Sequence, residues 1–122
     1  QDSTNLMRVL VFTWKDGTND PAMNDILAAT GTYSAISYIN RENDVGFKIL
    51  YDRLHRLVVG TSAESAISHI NLRFKNGIKM YYDGAATTSK GRRQLWLMVI
   101  SDSGAVNHPT INWCGRFFFQ DG

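Results

Sequence analysis

The side chains that could carry out acid–base, nucleophilic or metal chemistry are scattered along this sequence. His55, His69 and His108 fall in three different segments, and the one cysteine, Cys114, has no second thiol with which to form an internal disulfide. Neither CxxC nor HExxH occurs, and no serine stands in a GxSxG nucleophile motif. We therefore expect no catalytic residue, no metal site and no cofactor, and we expect that the protein is not an enzyme.

Two weaker chemical possibilities lie in the loops. Asp16, Asp20 and Asp25 fall in one loop and could gather a calcium ion, but their spacing lacks the glycine and the terminal glutamate of an EF-hand. Turn and capping roles for these aspartates are favoured instead. The glycines are dispersed and form neither GxGxxG nor GxxxxGK[ST], so a phosphate-binding loop has no support.

Basic side chains are the better candidates for function. Between residues 48 and 93, nine basic residues stand against three acidic ones, whereas the first 44 residues hold three basic and six acidic ones. Cations on a sheet can neutralise phosphates without reading base sequence, and an exposed Tyr81 or Trp96 could add base stacking. A solvated surface of mixed charge remains the alternative. The candidates for binding nucleic acid are Arg53, Arg56, Arg73, Lys75, Lys79, Arg92 and Arg93.

These residues need a folded chain to position them. A length of 122 residues and a mass of 13.7 kDa predict a single domain over 1–122, and a hydrophobic content of 43% is enough for a core. No apolar run approaches the roughly 18 residues that a membrane span needs, so no membrane insertion is expected.

Alternation of apolar and polar residues with a period of two predicts an all-β fold. Strands are expected at 6–14, 47–59, 69–75, 78–82, 94–101 and 110–120. Those at 94–101 and 110–120 look central. Asn76-Gly77 would supply a hairpin turn between two of them, or else a bulge within one long strand. A mid-strand change of apolar face within 47–59 indicates a bulge or bend.

Helical character is predicted once, where Asp20 could cap, Pro21 suits the first helical position, and Met23, Ile26 and Leu27 share a face. This helix would be one or two turns long. It lies in the connection 15–46, which is too long for a turn and is expected to be a surface insertion.

The order of the segments resembles that of single jelly-roll coat proteins. RVLVFTWKDGTNDPAMNDIL at 8–27 and FKILYDRLHRLVVG at 47–60 look like the tobacco-necrosis satellite virus coats. SKGRRQLWLMVISDSG at 89–104 and TINWCGRFFFQDG at 110–122 look like the last two strands of circovirus-like and geminivirus-like capsid proteins. The resemblance covers most of the chain, but no single motif in it is specific.

This resemblance implies a jelly-roll β-sandwich of two antiparallel sheets that assembles into a small icosahedral shell around a single-stranded genome. Circular DNA is the preferred genome, and RNA, as in the satellite viruses, is the alternative. The family's first strand and arginine-rich amino-terminal arm are expected to be missing from this chain. The implied partners are copies of the same chain and nonspecifically bound nucleic acid. The implied location is the virion, with assembly in the host nucleus.

Surplus apolar surface fits such a role. Strand 6–14 is apolar on both faces and the last strand carries consecutive phenylalanines, so one face needs a partner. A different class stays open, a lectin-like sandwich in which Trp14, Trp96 or Trp113 stacks on sugar rings. The predicted subunit-interface residues are Val9, Val11, Trp14, Trp96, Phe117, Phe118 and Phe119.

Overall fold

A computed structural model describes residues 4–15, 20–29, 34–61, 64–81, 91, 93–103 and 109–118, with the backbone alone at 43–45. The strands in this part of the chain are β1 (Asn5–Trp14), β2 (Phe47–Leu57) and β3 (Gln94–Ser101). Its helical elements are short. They are α1 (Met23–Ile26) and two 3-10 helices, Ser34–Ile36 and Arg41–Gly46.

The three strands form one antiparallel sheet in the order β2-β1-β3. Because β1 is the central strand, its residues are buried at both parities, which explains why its sequence is apolar on both faces. The predictions of strands at 6–14 and 94–101 are confirmed. The expectation that 94–101 is central is wrong for the described residues, in which β3 lies at the edge of the sheet.

A bulge in β2 accounts for the change of face that its sequence indicated. Val11 pairs with Tyr51 whereas Phe12 pairs with Ile49, so Leu50 is an extra residue on β2. Phe47 and Ile49 therefore lie on one face of the sheet, and Tyr51 lies on the other. The predicted bulge is confirmed, and the strand ends at Leu57 rather than at residue 59.

One face of the sheet, which we call the core face, carries the hydrophobic core. Leu10, Phe12 and Trp14 of β1 lie on it with Phe47 and Ile100 from the neighbouring strands. The rings of Phe12 and Phe47 meet edge to face with centroids 6.5 Å apart. Each of these side chains has lost most of its contact with water, which is the main favourable term in folding.

The described parts of the insertion, 20–29 and 34–46, close over the core face. Ile26 and Leu27 are completely buried against the sheet, with 0% and 1% of their surface exposed. Leu27 forms a β-bridge with Ile39, and backbone hydrogen bonds join Ala28 to Tyr38 and Asn40 to Ile26. The expectation of a surface insertion is therefore wrong for these residues, because their apolar side chains complete the core.

Helix α1 is a single turn, within the predicted one or two turns, but it begins later than expected. Its N-cap is Ala22 rather than Asp20. The Asp25 carboxylate reaches back to accept the backbone N–H of Ala22 at 2.8 Å, so a side chain three residues into the segment satisfies the first free donor.

Two predicted strand regions do not form strands in the described residues. Residues 69–81 contain a turn in which the Gly77 N–H donates to the Phe74 carbonyl at 3.0 Å, and Gly77 has a φ of 72°. The turn thus centres on Lys75 and Asn76, one residue earlier than the predicted hairpin, and no ladder flanks it. Residues 110–118 are likewise outside any strand, and their side chains are exposed.

The fold class is therefore all-β with almost no helix, as the alternation predicted. The described residues form one three-stranded sheet, whereas a jelly roll has two sheets. The second sheet and the single jelly-roll domain over 1–122 remain predictions.

Candidate nucleic-acid interface

The bulge and the strand register place the basic residues of β2 on different faces. Arg53 lies opposite Val9 on the face away from the core, which we call the second face. Arg56 lies opposite Leu6, on the same side of the sheet as the core face. Both side chains are exposed, but an odd separation along a regular strand turns them in opposite directions. The two arginines cannot form one compact phosphate site.

The segment 64–81 contributes three more of the predicted cations. Arg73, Lys75 and Lys79 are all exposed, and the Lys79 Nζ lies 5.5 Å from the centroid of the Tyr81 ring. The Gln94 amide donates to the Tyr81 carbonyl at 2.7 Å, so this part of the segment lies beside the start of β3. A cation over a tyrosine ring offers both charge and a stacking surface.

Arg93 stands immediately before β3 with an unusual backbone. Its φ is 61°, in the left-handed region, and its N–H donates to the Trp14 carbonyl at 2.9 Å. The side chain is exposed. Arg92, the predicted candidate next to it in the sequence, lies outside the described residues.

The predicted interface residues divide into two groups. Val11 and Trp14 are buried within the chain, and Trp96 packs against the core, so these apolar side chains already have partners. Val9 is half-buried. Phe117 and Phe118 are 68% and 89% exposed, and Phe119 lies outside the described residues. Subunit contacts remain a prediction, and Phe117 and Phe118 have the most apolar surface to offer.

Sequence reasoning missed a partly buried ion pair on the core side of the sheet. The Arg8 guanidinium binds Asp52 through two parallel hydrogen bonds, Nε to Oδ1 at 2.8 Å and Nη2 to Oδ2 at 2.6 Å. Its Nη1 donates to the Ser37 carbonyl. One signal was available, because Arg8 shares the parity of Leu10 and Phe12 and a cation buried there needs a partner.

Arg8 and Asp52 also line an open groove of about 520 Å³ between the sheet and the insertion. Ser37, Tyr38 and Arg41 form its other side. Three of the five N–H donors of the Arg8 guanidinium are bonded to Asp52 and Ser37, so this residue fastens the insertion to the sheet.

The described residues contain no group of three or more His, Cys, Asp or Glu side chains that could hold a metal ion. His55 is hydrogen-bonded to Ser68 through Nε2, and Cys114 is an exposed free thiol. Among the helices described, none is long and apolar enough to cross a membrane.

No protein-family model matches the chain, and no curated protein or solved structure matches it either. Function must therefore be inferred from the residues and their arrangement.

Proposed function

We propose that the chain is a viral coat protein that self-assembles into a small icosahedral shell around single-stranded nucleic acid, DNA in preference to RNA. The observation that carries this proposal is the apolar surface of residues 109–118. Ile111, Trp113 and Phe117 are 52%, 70% and 68% exposed. Phe118 is 89% exposed. Large apolar side chains exposed this close together in the sequence are typical of subunit contacts.

The exposed cations support the second half of the proposal. Arg53, Arg56 and Arg73 join no ion pair within the described residues, and the same holds for Lys75, Lys79 and Arg93. Unpaired cations on several surfaces suit nonspecific phosphate neutralisation better than recognition of one small ligand. Arg92 belongs to the same proposal by its place in the sequence.

The proposed architecture is a jelly roll of which the sheet β2-β1-β3 would be part. The order of the four segments, which resembles that of small-virus coat proteins, supports it. In this proposal the protein has no catalytic activity and is located in the virion, with assembly in the host nucleus.

The direct test is the particle formed by the expressed full chain, measured by light scattering and negative-stain electron microscopy together with the 260/280 nm absorbance ratio. We expect uniform closed shells whose nucleic-acid signal resists nuclease. A stable monomer without nucleic acid at all protein concentrations would contradict the proposal.

A pair of variants tests the carrying observation. Phe117→Ser with Phe118→Ser removes two adjacent exposed aromatic side chains of the segment and should abolish assembly without unfolding the chain. Tyr38→Ser with Ile67→Ser is the matched control, since those side chains are 87% and 75% exposed but lie elsewhere. The proposal requires that the control still assembles; equal loss of assembly in both variants would contradict it.

One observation favours a second candidate, a carbohydrate-binding module. A Cβ at Gly115 would lie 3.3 Å from Cζ3 of Trp113 and 3.7 Å from Cε2 of Phe117, so two exposed rings border a position without a side chain. Such a platform could stack on a sugar ring. A monomer that binds glycans and loses the binding on Trp113→Ala would favour this candidate over the coat protein.

A further inference from the structure

Three cations meet at one end of the sheet, where β1 ends and both of its neighbours begin. Trp14 pairs with Phe47 on one side and with Gln94 on the other. Lys15 follows Trp14 directly, and its N–H donates to the Gly46 carbonyl at 2.9 Å. Arg93 precedes Gln94 and donates its N–H to the Trp14 carbonyl. Lys15 and Arg93 therefore lie side by side at the same level of the sheet.

Lys48 completes this group, which we call the cation corner (Lys15, Lys48 and Arg93). Lys48 pairs with Thr13 on the second face of the sheet, and Lys15 lies two residues further along from Thr13. The two lysines are thus diagonal neighbours on adjacent strands, a relation in which Cα atoms are roughly 7–8 Å apart. Long flexible side chains at that separation can bring both ammonium groups to one phosphate.

The charges in the corner are exposed. All three side chains are exposed, and none of them forms an ion pair within the described residues. The described positions that surround them, 13–15, 46–49 and 93–95, contain no acidic residue. Like charges on neighbouring strands repel one another, so this arrangement costs stability in the absence of an anion.

The backbone at Arg93 gives an independent reason to expect a ligand there. A φ of 61° is a conformation that residues with a side chain adopt at an energetic cost and that glycine adopts readily. The corner nevertheless has arginine at this position, and strained residues of this kind concentrate at binding sites. The strained turn presents a guanidinium, which suits two phosphate oxygens at once.

We propose that the cation corner is a binding site for the phosphodiester backbone of single-stranded nucleic acid, with Lys15 and Lys48 as phosphate contacts beside Arg93. This inference rests on the proposed function, and it places the tightest genome contact at one end of the sheet rather than spread over all exposed cations. Binding there is electrostatic, so it does not depend on base sequence and weakens with salt.

The test measures binding of a fluorescent oligothymidylate of about 16 nucleotides, a length that a single small binding surface can hold. Anisotropy titrations of the full chain between about 50 and 200 mM salt give the slope of log K against log salt. Each of Lys15→Gln and Lys48→Gln should reduce the steepness of the slope by about 0.7, and the double variant by about 1.4. The reason is that binding with one phosphate contact fewer releases fewer counterions from the nucleic acid.

Arg41→Gln is the matched control, since Arg41 is exposed, carries the same charge and lines the groove beside Arg8 and Asp52 rather than the corner. It should leave the slope unchanged, and thermal unfolding checks that every variant is folded. If Arg41→Gln and Lys48→Gln reduce the slope equally, or if neither does, the corner is not the site. That outcome leaves the coat-protein proposal intact, whereas a wild-type chain that neither binds the oligonucleotide nor forms particles overturns both.

Discussion

At the scale of single residues, the Arg8–Asp52 pair is the interaction whose loss should be felt most. Its Arg8 side chain is 9% exposed and its Asp52 side chain is 31% exposed. Arg8→Met should lower the free energy of unfolding by about 2 kcal/mol, less than for a fully buried pair because water still reaches the abandoned carboxylate. Urea denaturation measures the change.

The double variant Arg8→Met/Asp52→Leu is the control for that prediction. It removes the abandoned charge together with its partner, so part of the lost stability should return. If the free energy of unfolding of the single Arg8→Met variant lies within about 0.5 kcal/mol of the wild-type value, the pair does not fasten the insertion to the sheet.

Arg93 allows backbone strain to be separated from charge. Arg93→Gly and Arg93→Ala both remove the guanidinium, but only alanine keeps a Cβ in the left-handed region. The glycine variant should therefore be the more stable of the two by about 1 kcal/mol, since relief of the strain exceeds the extra entropy of glycine in the unfolded chain. Equal stability in thermal unfolding would mean that the turn relaxes out of the positive φ.

At the scale of elements, the sheet and the segment 109–118 place phenylalanine in opposite surroundings. Phe12 is 0% exposed in the core and Phe118 is 89% exposed. In dilute, unassembled protein, Phe12→Ala should cost about 4 kcal/mol of unfolding free energy, whereas Phe118→Ala should change it by less than about 0.5 kcal/mol. A large loss at Phe118 would show that the segment packs on the fold of its own chain.

The strands that sequence alternation predicted correctly are those that pack on the core. In β1 and β3, each side chain that points into the core packs against neighbouring strands, so the apolar pattern of the sequence agrees with the structure. A bulge in β2 was also foreseeable, because apolar residues change parity between Tyr51 and Leu54, but the structure has it earlier, at Leu50. The segments 69–81 and 110–118 alternate as well, but alternation does not specify a partner strand, and none pairs with them in the described residues.

The site was less predictable than the fold because it depends on register. Sequence identified Arg53 and Arg56 as candidates on one strand, yet strand geometry turns them to opposite faces. Lys15 and Lys48 are 33 positions apart and came together only through the pairing of β1 with β2. The burial of Ile26 in the core was not predictable either, since the sequence of a short helix in a long connection does not indicate which surface it packs against.

At the scale of the whole molecule, two kinds of force act on different surfaces. The chain has a formal net charge of only +2, so repulsion between copies is weak, and the proposed assembly would not need nucleic acid to neutralise it. The proposed apolar contacts through residues 109–118 would not be screened by salt, whereas phosphate contacts would be. The two functions of a coat protein should therefore respond differently to ionic strength.

Salt titration of the assembled particle turns this difference into the last prediction. Raising the salt to about 1 M, where the Debye length falls to about 3 Å, should release nucleic acid while the shell stays closed. Light scattering reports the shell, and the 260/280 nm absorbance ratio after nuclease treatment reports the packaged nucleic acid. Because Phe117 and Phe118 carry no charge, loss of the shell at the same salt concentration as loss of the nucleic acid would mean that the genome holds the copies together. In that case the apolar segment would not be the subunit contact, and the cations would be responsible for assembly as well as for packaging.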